Sequence, residues 1–238
     1  MKYLVIADIH SNLEALEKVF EETVRMKFDK ILCLGGIVGH GASPNECIEL
    51  LKEKKALCIM GNHDAACVGL MNLSWFRPES RKSIEWTKKI LTGNNLGFLK
   101  DLPKFFSTKF LLTVHGTPEN PLKEHMDERK AEKTLEQVAE DLILVGHNHN
   151  PFYYTEKEKM VDIKGSHTIK FEGKRMVVSM PSVGQPRDVD NRTGYGILDF
   201  EKKELEIKRI HYDWKTAAEK IRKAGLPEFS ATRLEKGI

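Results

Sequence analysis

Five short apolar runs in the first 150 residues each end directly in a group of polar residues. The groups contain glycine, histidine, asparagine or aspartate, and they read ADIH, GGIVG, GNHD, HG and GHNH along the chain. Short apolar runs without alternation are typical of strands buried on both faces, as in parallel sheets. Ligands bind at the carboxyl ends of parallel strands, so these polar residues are expected to meet at one edge of a sheet.

Helical patterns separate the apolar runs. Apolar residues recur at helical spacing from Leu13 to Val24, and Ser43-Pro44-Asn45-Glu46 predicts a capping box with proline at the first helical position. The segment from Glu79 to Leu102 is predicted to be helical with a break near Gly93. From Phe152 onward, short β-type runs with turn residues between them are typical of antiparallel hairpins.

Strand and helix alternation in the first half and mostly strands in the second half predict an α/β fold. Two sheets packed face to face with helices outside would accommodate both halves. Internal repeats, low-complexity tracts and Pro/Gly-rich linkers are absent, so residues 1–238 are predicted to form one domain.

The charge of the chain disfavours binding to nucleic acid. Lys and Arg number 38 against 35 Asp and Glu, and residues 1–200 hold 28 of each sign. A protein that neutralises phosphates along a nucleic acid usually carries a concentrated basic face. Asp8 interrupts the first apolar run after about five residues, too few for a signal-peptide core or a membrane span. A cytoplasmic location is therefore expected, with no membrane partner.

The residues after the strands are candidate metal ligands. Oxygen and nitrogen donors without thiolates suit Mn, Fe, Zn or Co, and the donors outnumber what one ion needs. Each motif alone is weak, because Asp-x-His is usually an ordinary strand end and either Gly-Asn-His-Asp or Gly-His-Asn-His can be a turn. Their order and repeated position after strands favour a common site.

With these motifs in this order, the sequence resembles the calcineurin-like metallophosphoesterase family, closest to its small single-domain bacterial and archaeal branch. The resemblance extends from Asp8 to Arg187 and implies a four-layer αββα sandwich of two mixed β-sheets flanked by helices. It also implies two divalent ions, drawn from Mn, Fe, Zn, Ni and Co. The implied ligands are Asp8, His10 and His149 for one ion, and Asn62, His115 and His147 for the other.

Four further residues are candidates for the site: the resemblance bears on His63, Asp64 and Arg187, and His40 is a candidate because it follows the glycine turn. His63 would act as general acid for the leaving oxygen or as a donor to developing charge. Asp64 would either orient His63 or cap the helix that follows. Arg187 would either clamp a phosphate or pair with Asp188 or Asp190, and His40 would face the substrate or lie on a surface loop. His125, His167 and His211 lack partners at ligand spacing and are interpreted as surface residues.

The sequence departs from the family at Gly36. The family has Gly-Asp in the second motif, and that aspartate bridges the two ions, whereas this chain has glycine at the position. Two divalent ions about 3.5 to 4 Å apart repel strongly, and a bridging anion normally offsets that repulsion. Weaker and unequal metal occupancy is therefore expected, with the Asp8 site retained more readily.

The function implied by the resemblance is hydrolysis of a phosphomonoester or phosphodiester, with a nucleotide among the candidate substrates, by a metal-activated water. The alternative is a family member of weak or no activity that acts as a binding or regulatory protein, and Gly36 is the feature that favours it. The expected partner is a phosphorylated small molecule or nucleotide.

Overall fold

The computed structural model describes all 238 residues and consists of two six-stranded sheets with helices on both outer faces. The strands are β1 Lys2–Ile6, β2 Lys30–Cys33, β3 Leu57–Cys58, β4 Phe105–Ser107, β5 Leu111–Val114, β6 Leu142–Val145, β7 Phe152–Thr155, β8 Lys159–Asp162, β9 His167–Lys170, β10 Met176–Ser179, β11 Thr193–Asp199 and β12 Glu204–Ile210. The helices are α1 Leu13–Thr23, α2 Pro44–Glu53, α3 Asn62–Cys67, α4 Pro78–Ile90, α5 Gly93–Lys100, α6 Glu128–Gln137, α7 Trp214–Lys223 and α8 Glu228–Lys236, with a 3-10 turn at Leu73–Trp75.

Both sheets are mixed, and each contains a parallel core. The first sheet has the order β3-β2-β1-β11-β12-β9, in which β1, β2 and β3 are parallel and β11 runs antiparallel to β1. The second has the order β4-β5-β6-β10-β7-β8, in which β5, β6 and β10 are parallel. Strand β11, from the last part of the chain, thus lies in the middle of the first sheet, next to β1.

Three apolar clusters hold the layers together, and β1 shows why its residues are all apolar. Tyr3 and Val5 face the second sheet, while Leu4 and Ile6 face α1, α2 and α7 on the outside. A third cluster joins the outer face of the second sheet to α6 through Leu135. Alternate side chains of a strand point to opposite faces, so a strand between two apolar layers is apolar at every position. The predicted four-layer αββα sandwich is confirmed.

Several local predictions are wrong. The strand predicted over residues 56–60 is only Leu57–Cys58, because Met60 N donates to Pro103 O at 2.7 Å instead of extending the ladder. Helix α2 begins at Pro44 as predicted, but the side chain of Ser43 makes no capping hydrogen bond, so the predicted capping box is absent. Strands β4 and β8 and helix α8 were not predicted. None of the helices combines the length and the apolar character that crossing a bilayer requires.

Candidate metal centre

The predicted ligands come together where the parallel strands of both sheets end. Asp8 and His10 follow β1, Asn62 begins α3 after β3, and His115 and His147 follow β5 and β6 of the second sheet. Five of the ten non-glycine residues with positive φ are predicted site residues, namely Asp8, His10, His40, His147 and His149. Such backbone conformations cost of order 1 kcal/mol or more each and concentrate at functional sites.

Asp8, His10 and His149 form the first ligand set. Asp8 Oδ1 lies 3.6 Å from His10 Nε2 and 3.5 Å from His149 Nε2, and the two Nε2 atoms lie 3.1 Å apart. His10 Nδ1 donates to the Val38 carbonyl at 3.1 Å, and His149 Nδ1 donates to the Gln185 carbonyl at 2.6 Å. A carbonyl oxygen only accepts, so each Nδ1 carries the proton and each Nε2 presents a lone pair to the centre.

Asn62, His115 and His147 form the second set beside the first. His115 Nε2 lies 3.2 Å from Asn62 Oδ1 and 4.0 Å from Asp8 Oδ1, and its Nδ1 donates to the Leu34 carbonyl at 2.8 Å. The ring of His147 lies 4.9 Å from that of His115, and its backbone N–H donates to Asp8 Oδ2 at 2.8 Å. Asp8 therefore faces both sets, and it is the only carboxylate that does.

The donor atoms fit divalent cations. Asp8 Oδ1 and His147 Nε2 are buried and have no hydrogen-bond partner. The Nε2 lone pairs of His10 and His149 face each other at a distance that is repulsive unless a cation lies near both. Two imidazoles and one carboxylate in the first set, and two imidazoles and one amide in the second, match the donors of first-row transition metals.

Burial controls the protonation of the cleft. Desolvation raises the pKa of Asp8 to about 7, opposed by the nearby positive charge of Arg187. Desolvation also lowers the pKa of His115 to about 4 and holds those of His10, His147 and His149 well below the ordinary value. The imidazoles are consequently neutral near pH 7, which is the form that binds a metal.

Comparisons with known proteins bear on the family of the chain. A family model described as calcineurin-like phosphoesterase matches residues 1–162. An uncharacterised protein of Methanocaldococcus jannaschii is 39% identical over 238 residues, which cover 98% of this chain and 97% of that protein. The chain belongs to the calcineurin-like phosphoesterase family.

Two solved structures are similar over the whole chain. The crystal structure of a metallophosphoesterase from Sphaerobacter thermophilus has a TM-score of 0.91 and 33% sequence identity, with 100% of both chains covered. A hypothetical protein from Pyrococcus horikoshii has a TM-score of 0.80 and 22% identity, with 100% of this chain and 98% of that chain covered. The second of these likenesses concerns the fold alone.

Gly36 lies between the two ligand sets. A Cβ atom added there would lie 2.8 Å from Asp8 Oδ1 and 3.3 Å from His115 Cε1, and the residue has a φ of +68°. A side chain at position 36 would thus enter the space that both sets face. The family resemblance predicts a carboxylate at this position, whereas in this chain Asp8 is the one carboxylate that faces the ligands.

His63 and His40 lie together on one side of the first ligand set. Their ring centroids are 4.5 Å apart. The ring centroid of His10 lies 4.9 Å from that of His63 and 4.8 Å from that of His40. His63 Nδ1 and His40 Nε2 are buried without hydrogen-bond partners, and burial lowers the pKa of His63 to about 3. Phe76 packs edge-on against His63 at 5.2 Å. Each of the two histidines therefore lies beside the first ligand set and has one ring nitrogen without a protein partner.

Asp64 caps a helix and holds a turn. Its carboxylate accepts hydrogen bonds from the backbone N–H groups of Gly61, Gly36, Ile37 and Val38 at 2.8 to 3.0 Å. It makes no hydrogen bond to His63. This arrangement corresponds to the helix-cap alternative, extended to the glycine turn after β2, and it does not match the orienting role.

Arg187 faces the centre rather than the acidic residues that follow it. Asp188 pairs with Arg209, and Asp190 pairs with Arg192 at 2.7 Å, so neither is the partner of Arg187. The Nη2 atom of Arg187 donates to Gln185 Oε1 at 2.8 Å, while its Nε is buried and unpartnered. The ion-pair alternative for Arg187 is therefore absent from the structure.

Three residues of the site escaped the sequence reasoning. His125 is exposed, as predicted for a surface residue, but it also stacks on His147 with ring centroids 3.9 Å apart. Gln185 supplies both the carbonyl that positions His149 and the side chain that positions Arg187. Arg233, on α8, also donates to Gln185 Oε1 at 3.2 Å. Of these three residues, only Gln185 had a signal in the sequence. It lies between Gly184 and Arg187, in a loop that is part of the family resemblance.

Proposed function

We propose that this protein is a metal-dependent phosphoesterase that hydrolyses a phosphomonoester or phosphodiester, with nucleotides among its substrates, by a metal-activated water. The observation that carries the proposal is the pair of adjacent ligand sets, whose unprotonated Nε2 atoms and single carboxylate face one another with no protein partner between them. In this proposal Asp8, His10 and His149 hold one ion, and Asn62, His115 and His147 hold the other.

When bound, divalent ions of this kind lower the pKa of a water and neutralise charge on phosphoryl oxygens. The chain itself binds and orients the phosphate: the Arg187 guanidinium and His40 Nε2 donate to its non-bridging oxygens. His63 lies on the same side and donates to the leaving oxygen. An anionic phosphate next to His63 raises the pKa of that imidazole, which favours a proton on the nitrogen facing the leaving group.

We further propose that the metal pair is weaker than in family members that carry the bridging aspartate. The support is the position of Gly36, whose missing side chain would point between Asp8 and His115.

The four cysteines are buried and unpaired, which supports a cytoplasmic location for the reaction. The near balance of 38 basic and 35 acidic residues supports a small phosphorylated substrate rather than a nucleic acid.

A second candidate function is binding without catalysis, and Gly36 is the observation that favours it. A cleft with weakly held ions would still bind a phosphorylated ligand through Arg187 and His40. The two candidates differ in turnover, since only the enzyme releases product.

Hydrolysis of p-nitrophenyl phosphate and bis-p-nitrophenyl phosphate with added Mn²⁺ tests the proposal. We expect metal-dependent turnover that Asp8→Asn abolishes and that His63→Asn lowers about 10²- to 10⁴-fold in kcat. His167→Asn, which changes an exposed histidine on β9, is the matched control and should retain the wild-type rate. Turnover only after Gly36→Asp would support the binding function, and absence of turnover in both forms would overturn the enzymatic proposal.

A further inference from the structure

A cavity of about 300 Å³ lies at the sheet edge that carries the metal centre. Its walls are residues from the loop after α3, Lys104 before β4, and residues 120–123 in the loop after β5. Phe105, the first residue of β4, pairs with Val114, the last residue of β5, and His115 of the second ligand set follows directly. The wall at Lys104 therefore lies at the level of a candidate metal ligand.

The other two walls are connected to site histidines through their neighbours in the chain. Trp75 lines the cavity, and the next residue, Phe76, packs edge-on against His63 with ring centroids 5.2 Å apart. Lys123 also lines the cavity, and His125, two residues further on, stacks on a histidine of the second ligand set. The group esterified to a phosphate at the centre, whose oxygen is proposed to accept from His63, would therefore extend toward this cavity.

The cavity offers an open aromatic face. The Nζ atom of Lys123 lies 4.1 Å from the ring centroid of Trp75, and a single ammonium covers only one face of the indole. The side chain of Trp75 is nevertheless 63% exposed, so its opposite face is open. Leu70 and Leu122 add apolar surface to the same cavity. An exposed indole with apolar neighbours is suited to stacking against a planar group of a ligand.

The charged residues of the cavity are all basic. Lys104 and Lys123 line it, no carboxylate does, and neither lysine forms an ion pair or a hydrogen bond within the protein. The acidic residues of the adjoining loop have partners elsewhere, since Glu119 pairs with Lys133 and Glu124 accepts from Thr117. Electrostatic complementarity therefore favours a ligand that carries negative charge as well as a planar group.

We propose that this cavity binds the nucleoside part of the substrate, so that the substrate is a nucleoside phosphate whose base stacks on Trp75. This inference rests on the proposed phosphoesterase function, because it takes the phosphate to lie at the metal centre. A nucleobase combines a planar ring with polar edges, which matches an indole beside the amide of Asn120. The phosphate supplies the negative charge that complements the two lysines. A volume of about 300 Å³ is at the small end of ligand pockets and suits a single nucleoside.

Calorimetric titration of the Mn²⁺-loaded protein with two non-hydrolysable phosphonates tests the subsite. One is the analogue of adenosine monophosphate with a methylene group in place of the ester oxygen, and the other is the same sugar phosphonate without the base. We expect the wild type to bind the first about tenfold more tightly, because stacking on an aromatic side chain favours the base. Trp75→Ala should remove this preference and leave the affinity for the base-free phosphonate unchanged, whereas Trp75→Phe should keep most of it. Equal affinities in the wild type, or an unchanged preference in Trp75→Ala, would overturn the proposal.

Phe110→Ala is the matched control for loss of an exposed aromatic ring. The side chain of Phe110 is 50% exposed and lies under the ammonium of Lys109, 5.2 Å from its centroid, but it precedes β5 at the end opposite His115. This variant should retain the preference for the base. Wild-type hydrolysis of p-nitrophenyl phosphate in the same preparation separates the two proposals. Preference for the base without turnover would overturn the function and keep the subsite, whereas turnover without that preference would do the reverse.

Discussion

Replacement of Gly36 by aspartate should strengthen metal binding and weaken the metal-free protein. The added Cβ would lie 2.8 Å from Asp8 Oδ1 and 3.1 Å from Asp8 Cα, in a backbone with φ of +68°. A non-glycine residue in this region costs about 1 to 2 kcal/mol. A second buried carboxylate beside Asp8 costs several more without a cation. We therefore expect Gly36→Asp to lower the free energy of unfolding of the metal-free protein by about 3 to 6 kcal/mol.

The effect of Gly36→Asp changes from destabilising to stabilising when ions are bound. Two divalent ions about 4 Å apart repel by on the order of 15 kcal/mol at an effective dielectric of about 20, and a carboxylate between them offsets repulsion of this size. In the wild type only Asp8 faces both ligand sets. We expect the wild type to bind one Mn²⁺ per chain tightly and a second at least about tenfold more weakly, a difference of about 1.4 kcal/mol. Gly36→Asp should bind both.

Equilibrium Mn²⁺ titration of chelator-treated protein in phosphate-free buffer measures the stoichiometry, and urea unfolding of the metal-free form measures stability. Gly36→Asn is the matched control, since it has the same shape and backbone strain without the charge. It should show the steric loss of stability and no gain of a second ion. Two tight Mn²⁺ sites in the wild type, or equal stoichiometry in the Asp and Asn variants, would refute the reasoning.

Two further predictions concern stability. The metal-free protein should lose stability from pH 7 to 5, because burial lowers the pKa of seven site histidines below 6.5, so the unfolded chain binds more protons. The raised pKa of Asp8 has the opposite effect on stability, but a net difference of even two bound protons changes the free energy of unfolding by about 2.7 kcal/mol per pH unit. An equal free energy of unfolding in urea at pH 5 and pH 7 would contradict this prediction. Asp64→Asn should lower the free energy of unfolding by about 3 to 5 kcal/mol, since an amide offers one acceptor oxygen to four N–H groups; an unchanged Tm would argue against this role.

The sheet core was predictable because its signal is local. Residues 142–145 are apolar at every position, and the structure buries all four between the other sheet and α6. Strands β4 and β8 carried no such signal, since both lie at sheet edges with mostly exposed or half-buried side chains. An edge strand needs neither continuous apolar character nor clean alternation, so its sequence does not distinguish it from a loop.

The residues of the candidate site also fall into a group that the sequence could predict and a group that it could not. Residues next to strand ends, such as Asp8 and His115, could be placed together because parallel strands end at the same edge. His125 and Arg233 could not, because they lie on a long loop and on α8, and their approach to the centre depends on tertiary packing. His125 reaches His147 from 22 positions away, and Arg233 reaches Gln185 from 48 positions away. No spacing rule links such residues to a ligand.

The surroundings of Gly36 are built for a metal centre even without a carboxylate at that position. Asp64 fixes the N–H groups of Gly36, Ile37 and Val38, and the Val38 carbonyl in turn fixes the tautomer of His10. A turn that no longer served metal binding would have no need to hold His10 Nε2 unprotonated beside His149 Nε2. We therefore expect that the single substitution Gly36→Asp is enough to convert a weak metal pair into a strong one.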